Sequence, residues 1–241
     1  MKSNTKILAL IGARSGSVGL KDKNIKKICG LPLMAWIIKA AKKSRYINRI
    51  IVSTDSKKYS KIANRFGAET PFIRPKNIST KYSDEIDYIV HALDFLRKKE
   101  RYIPDIIVRL LITCPLQKSS DIDNLIKILL KNKTKSAVII AKAKQHPQKA
   151  LKIKNNKLVS YVSGKGIDVG KNNNRQKNEI NEKVYFRANV IACKIEVLNK
   201  NKSLTDENVK FLEVSNINNI DIDDEIDFEI AKILVKKNKF L

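Results

Sequence analysis

The sequence predicts an α/β fold built on a mostly parallel sheet, and three observations carry that expectation. Short apolar runs rich in β-branched residues recur along the chain, each ending in a polar loop. The runs do not alternate apolar with polar, as strands covered on both faces do not. Helical patterns separate them, and alternation of strand with helix is the signature of a parallel sheet.

The first strand is expected over 6–12 (KILALIG), the next over 49–54 (RIIVST), then 105–112 (DIIVRLLI) and 137–141 (AVIIA). Between them, 33–44 has a wide apolar face that takes in Trp36, which reads as core, and 57–66 is a shorter helical pattern. Residues 83–99 place Ile86, Ile89, Val90, Leu93 and Leu96 on one stripe, with Ser83 as N-cap. Residues 119–131 repeat that design. The rhythm breaks near 144. Residues 144–183 are polar with brief alternation (KLVSYV), which reads as an antiparallel excursion, and 172–181 is a loop of low complexity. A strand follows over 184–195, and the chain closes on IDIDDEIDFEIAKILVKK, a strand end leading into an amphipathic helix.

At 241 residues, with 43% hydrophobic and 30% charged, the chain suits one domain over 1–241 with a buried core. No apolar run reaches the roughly 20 residues that span a bilayer, and the amino terminus reads as a first strand, not a signal peptide. The three cysteines, Cys29, Cys114 and Cys193, are far apart and fit reduced, cytoplasmic thiols. The net charge of +25 invites a nucleic-acid reading. Yet lysine outnumbers arginine 39 to 10 and aromatics are 6%, so the charge reads as a lysine-rich surface without the clustered arginines and aromatics of a nucleic-acid binder.

The loop after the first strand, GARSGSVGLKDKN, spaces its glycines at 12, 16 and 19, unlike a dinucleotide-binding turn or a Walker loop. A strand that stops at Gly12 and enters small residues still exposes backbone N–H groups to phosphate oxygens. Arg14 offers a fork and Lys23 a point charge for the same anion. A solvated glycine-serine connection explains the loop equally well. Near the far end, Asp221 and Asp223 alternate along an extended segment, which puts both carboxylates on one face about 7 Å apart at the backbone. Two hard oxygen donors suit Mg²⁺. An acidic helix N-terminus is the other reading, and it accounts better for Asp224, Glu225 and Asp227.

The loop resembles the opening signature of the acylneuraminate cytidylyltransferase (CMP-sialic or CMP-nonulosonic acid synthetase) family, A-R-x-x-S-K-G-x-x-x-K-N, through Ala13, Arg14, Ser17, Gly19, Lys23 and Asn24. Val18 departs from it where the family has lysine. Further blocks follow in order: GLPL at 30–33, Ser53-Thr54-Asp55, Arg74-Pro75, His91-Ala92-Leu93, Thr113-Cys114-Pro115-Leu116, His146-Pro147-Gln148-Lys149, Arg175-Gln176, Phe186-Arg187-Ala188-Asn189 and Asp221-Ile222-Asp223. Leu111, Cys114 and Gln117 replace the family's Gln, Ser and Arg.

The resemblance implies a Rossmann-like nucleotidyltransferase fold that joins CTP to an acidic 2-keto sugar, giving CMP-sugar and pyrophosphate. It implies that Arg14 and Lys23 stabilise the leaving pyrophosphate and that Ala13, Ser17, Gly19, Asn24 and Arg74 bind the nucleotide. Lys149, Arg175, Arg187 and Asn189 would hold the sugar, and Asp221 and Asp223 a catalytic Mg²⁺. Residues 144–188 would form an arm that pairs two copies into a homodimer. The missing loop lysine at Val18 removes one charge-assisted contact, about 1.5–3 kcal/mol. A transferase for a Kdo-type acid or a sugar phosphate, or a nucleotide-binding relative without turnover, stays open. His91 and His146 read as structural, and Cys114 as a buried neutral thiol.

Overall fold

Strand β1 (Ile7–Gly12) lies inside a six-stranded sheet because nothing along it tolerates water: five of its six side chains are buried. The computed structural model describes residues 5–16, 20–131, 133–166 and 183–237. Beside β1 run β4 (Arg49–Ser53) and β5 (Ile106–Leu110), both parallel to it. Beyond β5 the order continues through β9 (Tyr185–Lys194), β6 (Ser136–Lys142) and β10 (Lys210–Val214). Only β9 runs against its neighbours, pairing antiparallel with β5 and β6.

Successive residues of β1 serve opposite faces. Ile7, Ala9 and Ile11 join a core with α1 (Leu33–Lys42), α2 (Lys57–Arg65), α4 (Ser119–Lys131) and α6 (Glu225–Lys237). Leu8 and Leu10 join the other core, with α3 (Glu85–Glu100) and α5 (Ile195–Asn201). Both faces are covered, which is why the strands read as unbroken apolar runs. The expected α/β architecture is therefore present.

Several details differ from the sequence expectation. Helix α3 is capped by Asp84, which forms a capping box with Asp87, while Ser83 Oγ accepts from the Thr80 amide. Residues 220–223 belong to no strand; the strand nearest before them is β10. The periodicity does not announce α5, β10 or the small hairpin of β2 (Lys27–Ile28) and β3 (Leu31–Pro32). The excursion does contain an antiparallel hairpin, β7 (Leu151–Lys154) with β8 (Lys157–Ser160), all four residues of β7 being exposed. Residues 172–181 lie outside the described residues.

The sheet order places β1 where the chain first goes one way, to β4, and then the other, to β5. Ligands of open α/β sheets bind in the crevice at the carboxyl ends of strands at such a reversal. Gly12 ends β1 there, beneath the buried ring of Tyr88: a Cβ on Gly12 would lie 2.9 Å from two ring carbons. Gly12→Val should cost about 1–3 kcal/mol of stability by overpacking, read as a lower urea midpoint. An unchanged midpoint would mean that Tyr88 yields freely.

Candidate active site

The loop after β1 is shaped by its own hydrogen bonds. Asp55, just past β4, accepts from the Ser15 amide (2.7 Å) and hydroxyl (2.6 Å). The Asn24 side chain donates to the Arg14 carbonyl (3.0 Å), and Arg14 Nη1 to the Gly16 carbonyl (2.9 Å). Gly16 has φ of +76°, a conformation glycine adopts without strain. Ala13 continues the sheet, its amide donating to the Ser53 carbonyl at 2.9 Å, so that N–H is not offered to a ligand. Tyr59 donates to Asp22 Oδ1 at 2.9 Å and steadies the turn before Lys23; burial raises its phenol well above the usual range.

Lys23 reaches across the chain. Its Nζ donates to the Ile222 carbonyl at 2.6 Å and lies 3.7 Å from Asp223 Oδ1. Ile222 is fully buried, and its amide donates to the Thr113 carbonyl at 3.0 Å. Lys26 pairs with Glu225 at 2.6 Å. The glycine loop and the closing acidic segment thus share one cleft.

That cleft is a cavity of about 520 Å³ lined by Gly12, Arg14, Lys23, Asn24, Arg74, Tyr88, Leu111, Thr113 and Asp223, among others. Arg74 dominates its chemistry. The residue is 5% exposed, its amide donates to the Thr54 carbonyl, and its guanidinium lies over the Tyr88 ring at 5.4 Å. Its Nε and Nη2 are buried with no acceptor. Burial lowers the Arg74 pKa, partly offset by Asp55. A buried guanidinium without a full set of acceptors favours an anion opposite it.

A second cavity, about 680 Å³, is lined by Lys142, Lys144, His146, Tyr161, Phe186, Asn216, Asn219 and Asp221, with others. Asp221 and Asp223 therefore line different cavities, where alternation along a strand predicted a shared face. Asp221 Oδ1 is buried with no hydrogen-bond partner. Burial first, then the charge of Asp221, raises the Cys114 thiol far above its ordinary value. Cys114 Sγ accepts from Asn189 Nδ2 at 2.7 Å, and the Asn189 carbonyl accepts from Arg109 Nη1 at 3.0 Å. A register shift in the β6–β9 pairing accompanies this geometry. Arg109 is itself buried and paired with Glu85 at 2.9 Å.

Of the residues singled out from sequence, Arg14, Lys23, Asn24, Arg74 and Asp223 line one cavity. Lys149 is exposed and lines neither of these two cavities. Ser17, Val18, Gly19 and Arg175 lie outside the described residues, as does the side chain of Arg187, whose backbone pairs with Ile140. The sequence reading missed Tyr88, Arg109, Lys142 and Lys144. A lone arginine inside an all-buried strand signals Arg109, since such a charge must be paired. His91 packs edge-on to Phe72 at 4.8 Å, and His146 Nδ1 accepts from the Gln148 amide at 3.3 Å, while His146 also lines the second cavity with its Nε2 buried and unpartnered.

The fold is that of a Rossmann-like nucleotidyltransferase. A CMP:2-keto-3-deoxy-manno-octonic acid synthetase solved in complex with CTP superposes with a TM-score of 0.70 at 15% identity, covering 97% of this chain and all of that one. A family model described as cytidylyltransferase matches residues 8–213, and the chain belongs to that family. The CMP-N,N'-diacetyllegionaminic acid synthase of Legionella pneumophila is 30% identical over 97% of this chain and 98% of its own length. The N-acylneuraminate cytidylyltransferase of Escherichia coli is 30% identical over 98% of this chain, which spans only 54% of that protein.

Cys114 and Cys193 are buried, the Cys193 thiol being pushed up to about 12, while Cys29 is exposed. Alkylation needs the thiolate. Iodoacetamide at pH 8 should label Cys29 alone in the native protein and all three cysteines after unfolding, read by mass spectrometry. Rapid native labelling of Cys114 would contradict its burial.

Proposed function

We propose that this enzyme condenses CTP with an acidic 2-keto nonulosonic sugar, releasing CMP-sugar and pyrophosphate. The observation that carries the reading is Arg74, a buried guanidinium with unpartnered N–H groups on a cavity that also holds Arg14 and Lys23. Three cations around one cleft at the carboxyl ends of β1 and β5 suit a triphosphate. The neighbouring cavity, with Lys142 and Lys144 on its wall and room for a nine-carbon acid, suits the sugar and its carboxylate.

In the reaction the sugar's anomeric hydroxyl attacks the α-phosphorus and gives up its proton to solvent water. An O–P bond forms as the bond to the β-phosphate breaks. Arg14, Lys23 and Arg74 offset the negative charge that builds on the leaving pyrophosphate, and this electrostatic compensation with positioning supplies the catalysis. The Lys23–Ile222 contact holds Lys23 in place for that role.

The reading also assigns Asp221 and Asp223 to a divalent cation, which, since they line different cavities, would sit at the boundary between the two. Asp221 offers a buried oxygen without a partner, and Asp223 an exposed carboxylate on the triphosphate side. No cluster of three or more His, Cys, Asp or Glu gathers among the described residues. Two carboxylates with water and phosphate completing the shell match the habit of Mg²⁺. Such an ion, when bound, neutralises phosphate charge and acidifies a bound hydroxyl.

The reading extends to assembly. Ile153, Leu158, Tyr161 and Val162 of the hairpin region are exposed, as is Phe186. A two-stranded hairpin with exposed apolar side chains is marginal alone and is stabilised by a second copy. A homodimer working in the cytoplasm, where CTP is made, fits this chain; no described helix is long and apolar enough to cross a membrane.

Pyrophosphate release across four nucleoside triphosphates and a panel of sugar acids tests the reading. Turnover should require CTP, a nonulosonic acid and Mg²⁺. Turnover confined to a Kdo-type acid or a sugar phosphate would move the substrate, and nucleotide binding without turnover on any sugar would remove the activity. Asp223→Ala should lower kcat about a hundredfold or more at an unchanged unfolding midpoint, because its side chain is 82% exposed. Full activity in that variant would take Asp223 out of the mechanism.

A further inference from the structure

A third cavity, about 250 Å³, lies where α1 meets the loop entering α4, and it shares no lining residue with the other two. Lys39 and Lys43 from α1, and Lys118, Ser119 and Ser120 at the start of α4, form its walls. Among the described residues no carboxylate lines it. The acidic groups early in α4 are engaged elsewhere. Asp121 accepts from Asn218 Nδ2 at 3.0 Å, and Asp123 accepts from the Ser44 hydroxyl and the Arg45 amide.

Two further side chains that line the cavity carry unmet donors. Trp36 and Gln117 are each 4% exposed, and the indole Nε1 and the amide Nε2 are buried with no acceptor. Leaving a buried N–H unmet is costly, so two around one cavity point to an acceptor from outside the chain. Of the first-turn amides of α4, those of Asp121 and Ile122 donate to the Lys118 carbonyl, while the Ser119 and Ser120 amides stand at the positive end of the helix dipole. Lys39 and Lys43 add positive charge beside these donors.

We propose that this cavity is a second anion site, separate from the nucleotide cleft, and that it takes a small phosphate-class oxyanion such as inorganic phosphate or pyrophosphate. Gln117 and Trp36 donate to the anion's oxygens from within the fold, the Ser119 and Ser120 amides donate from one side, and Lys39 and Lys43 neutralise its charge. The site stands on its own donors and does not depend on which sugar the enzyme uses. Gln117 is a distinctive member, since its neutral amide adds a donor without fixing a further charge in the buried wall.

The chain has a single tryptophan, and it lines this cavity, so its fluorescence reports the site directly. Inorganic phosphate and pyrophosphate are titrated separately into the full-length protein at constant ionic strength, with sodium chloride as the matched control. A saturable change in Trp36 emission is expected with at least one anion, and the anion that saturates at lower concentration is the better occupant. The double variant Lys39→Gln, Lys43→Gln should raise the half-saturating concentration about tenfold or more. Gln117→Leu should weaken binding as well. Arg14→Ala, altered only in the nucleotide cleft, should keep the response. The proposal is overturned if neither anion gives a saturable change up to ~10 mM, where even a millimolar site fills. It is equally overturned if the lysine double variant responds like the parent, or if Arg14→Ala abolishes the signal.

Discussion

Ile222 is the residue on which the functional architecture depends. It is fully buried, its amide is held by the Thr113 carbonyl behind β5, and its carbonyl is held by Lys23 from the loop behind β1. Three segments remote in sequence are thereby pinned within a few ångströms of one another. With its side chain in the core, the flanking Asp221 and Asp223 face outward, one to each cavity. Lys26 and Glu225 repeat the tie one helical turn further on, an exposed pair that adds little stability by itself but agrees in direction. A carboxylate on each side of one buried isoleucine places negative oxygen at the boundary between the two cavities.

The opposing constraint is charge. The cleft gathers Arg14, Lys23 and Arg74, and only part of this charge is met within the chain: Asp55 and Asp223 compensate some of it, while Arg74 keeps buried donors without acceptors. Such a site trades stability for anion affinity, because desolvating a guanidinium is repaid only when an anion arrives. Arg109, equally buried, shows the structural alternative. It is paired with Glu85 and the Asn189 carbonyl, and it holds the strand where Asn189 meets Cys114. The two buried arginines differ in their partners: Arg109 has a carboxylate at 2.9 Å and a carbonyl at 3.0 Å, although its Nε, like that of Arg74, makes no aligned hydrogen bond. The net charge of +25 is a poor guide by comparison, because most of it is exposed lysine.

Much of the sheet was legible because its strands are buried on both faces, which leaves continuous apolar runs at 7–12, 49–53, 106–110 and 136–142. The direction of β9 was not legible, since a strand's sense of travel has no local sequence signal; only its partners, β5 and β6, set it. β10 was missed because it pairs on one side only and exposes Phe211, giving no apolar run. In the site, Arg14, Lys23, Asn24, Arg74 and Asp223 could be read from loop chemistry and resemblance together. Asn24 proved to hold the Arg14 carbonyl, and Ala13 to spend its amide on the sheet, details that only coordinates supply. The expected shared face of Asp221 and Asp223 failed because the segment belongs to no strand and is held by the two backbone contacts of Ile222 and by the Asp223 amide donating to Asp227.

The account's central claim is that the glycine loop and the acidic segment close on the same triphosphate. Hydrogen–deuterium exchange with and without CTP and Mg²⁺ measures this directly. Amides over 13–25 and those over 220–225 should gain protection together, with the same dependence on CTP concentration. Protection confined to the glycine loop, with the segment around Ile222 exchanging as in the free protein, would contradict it.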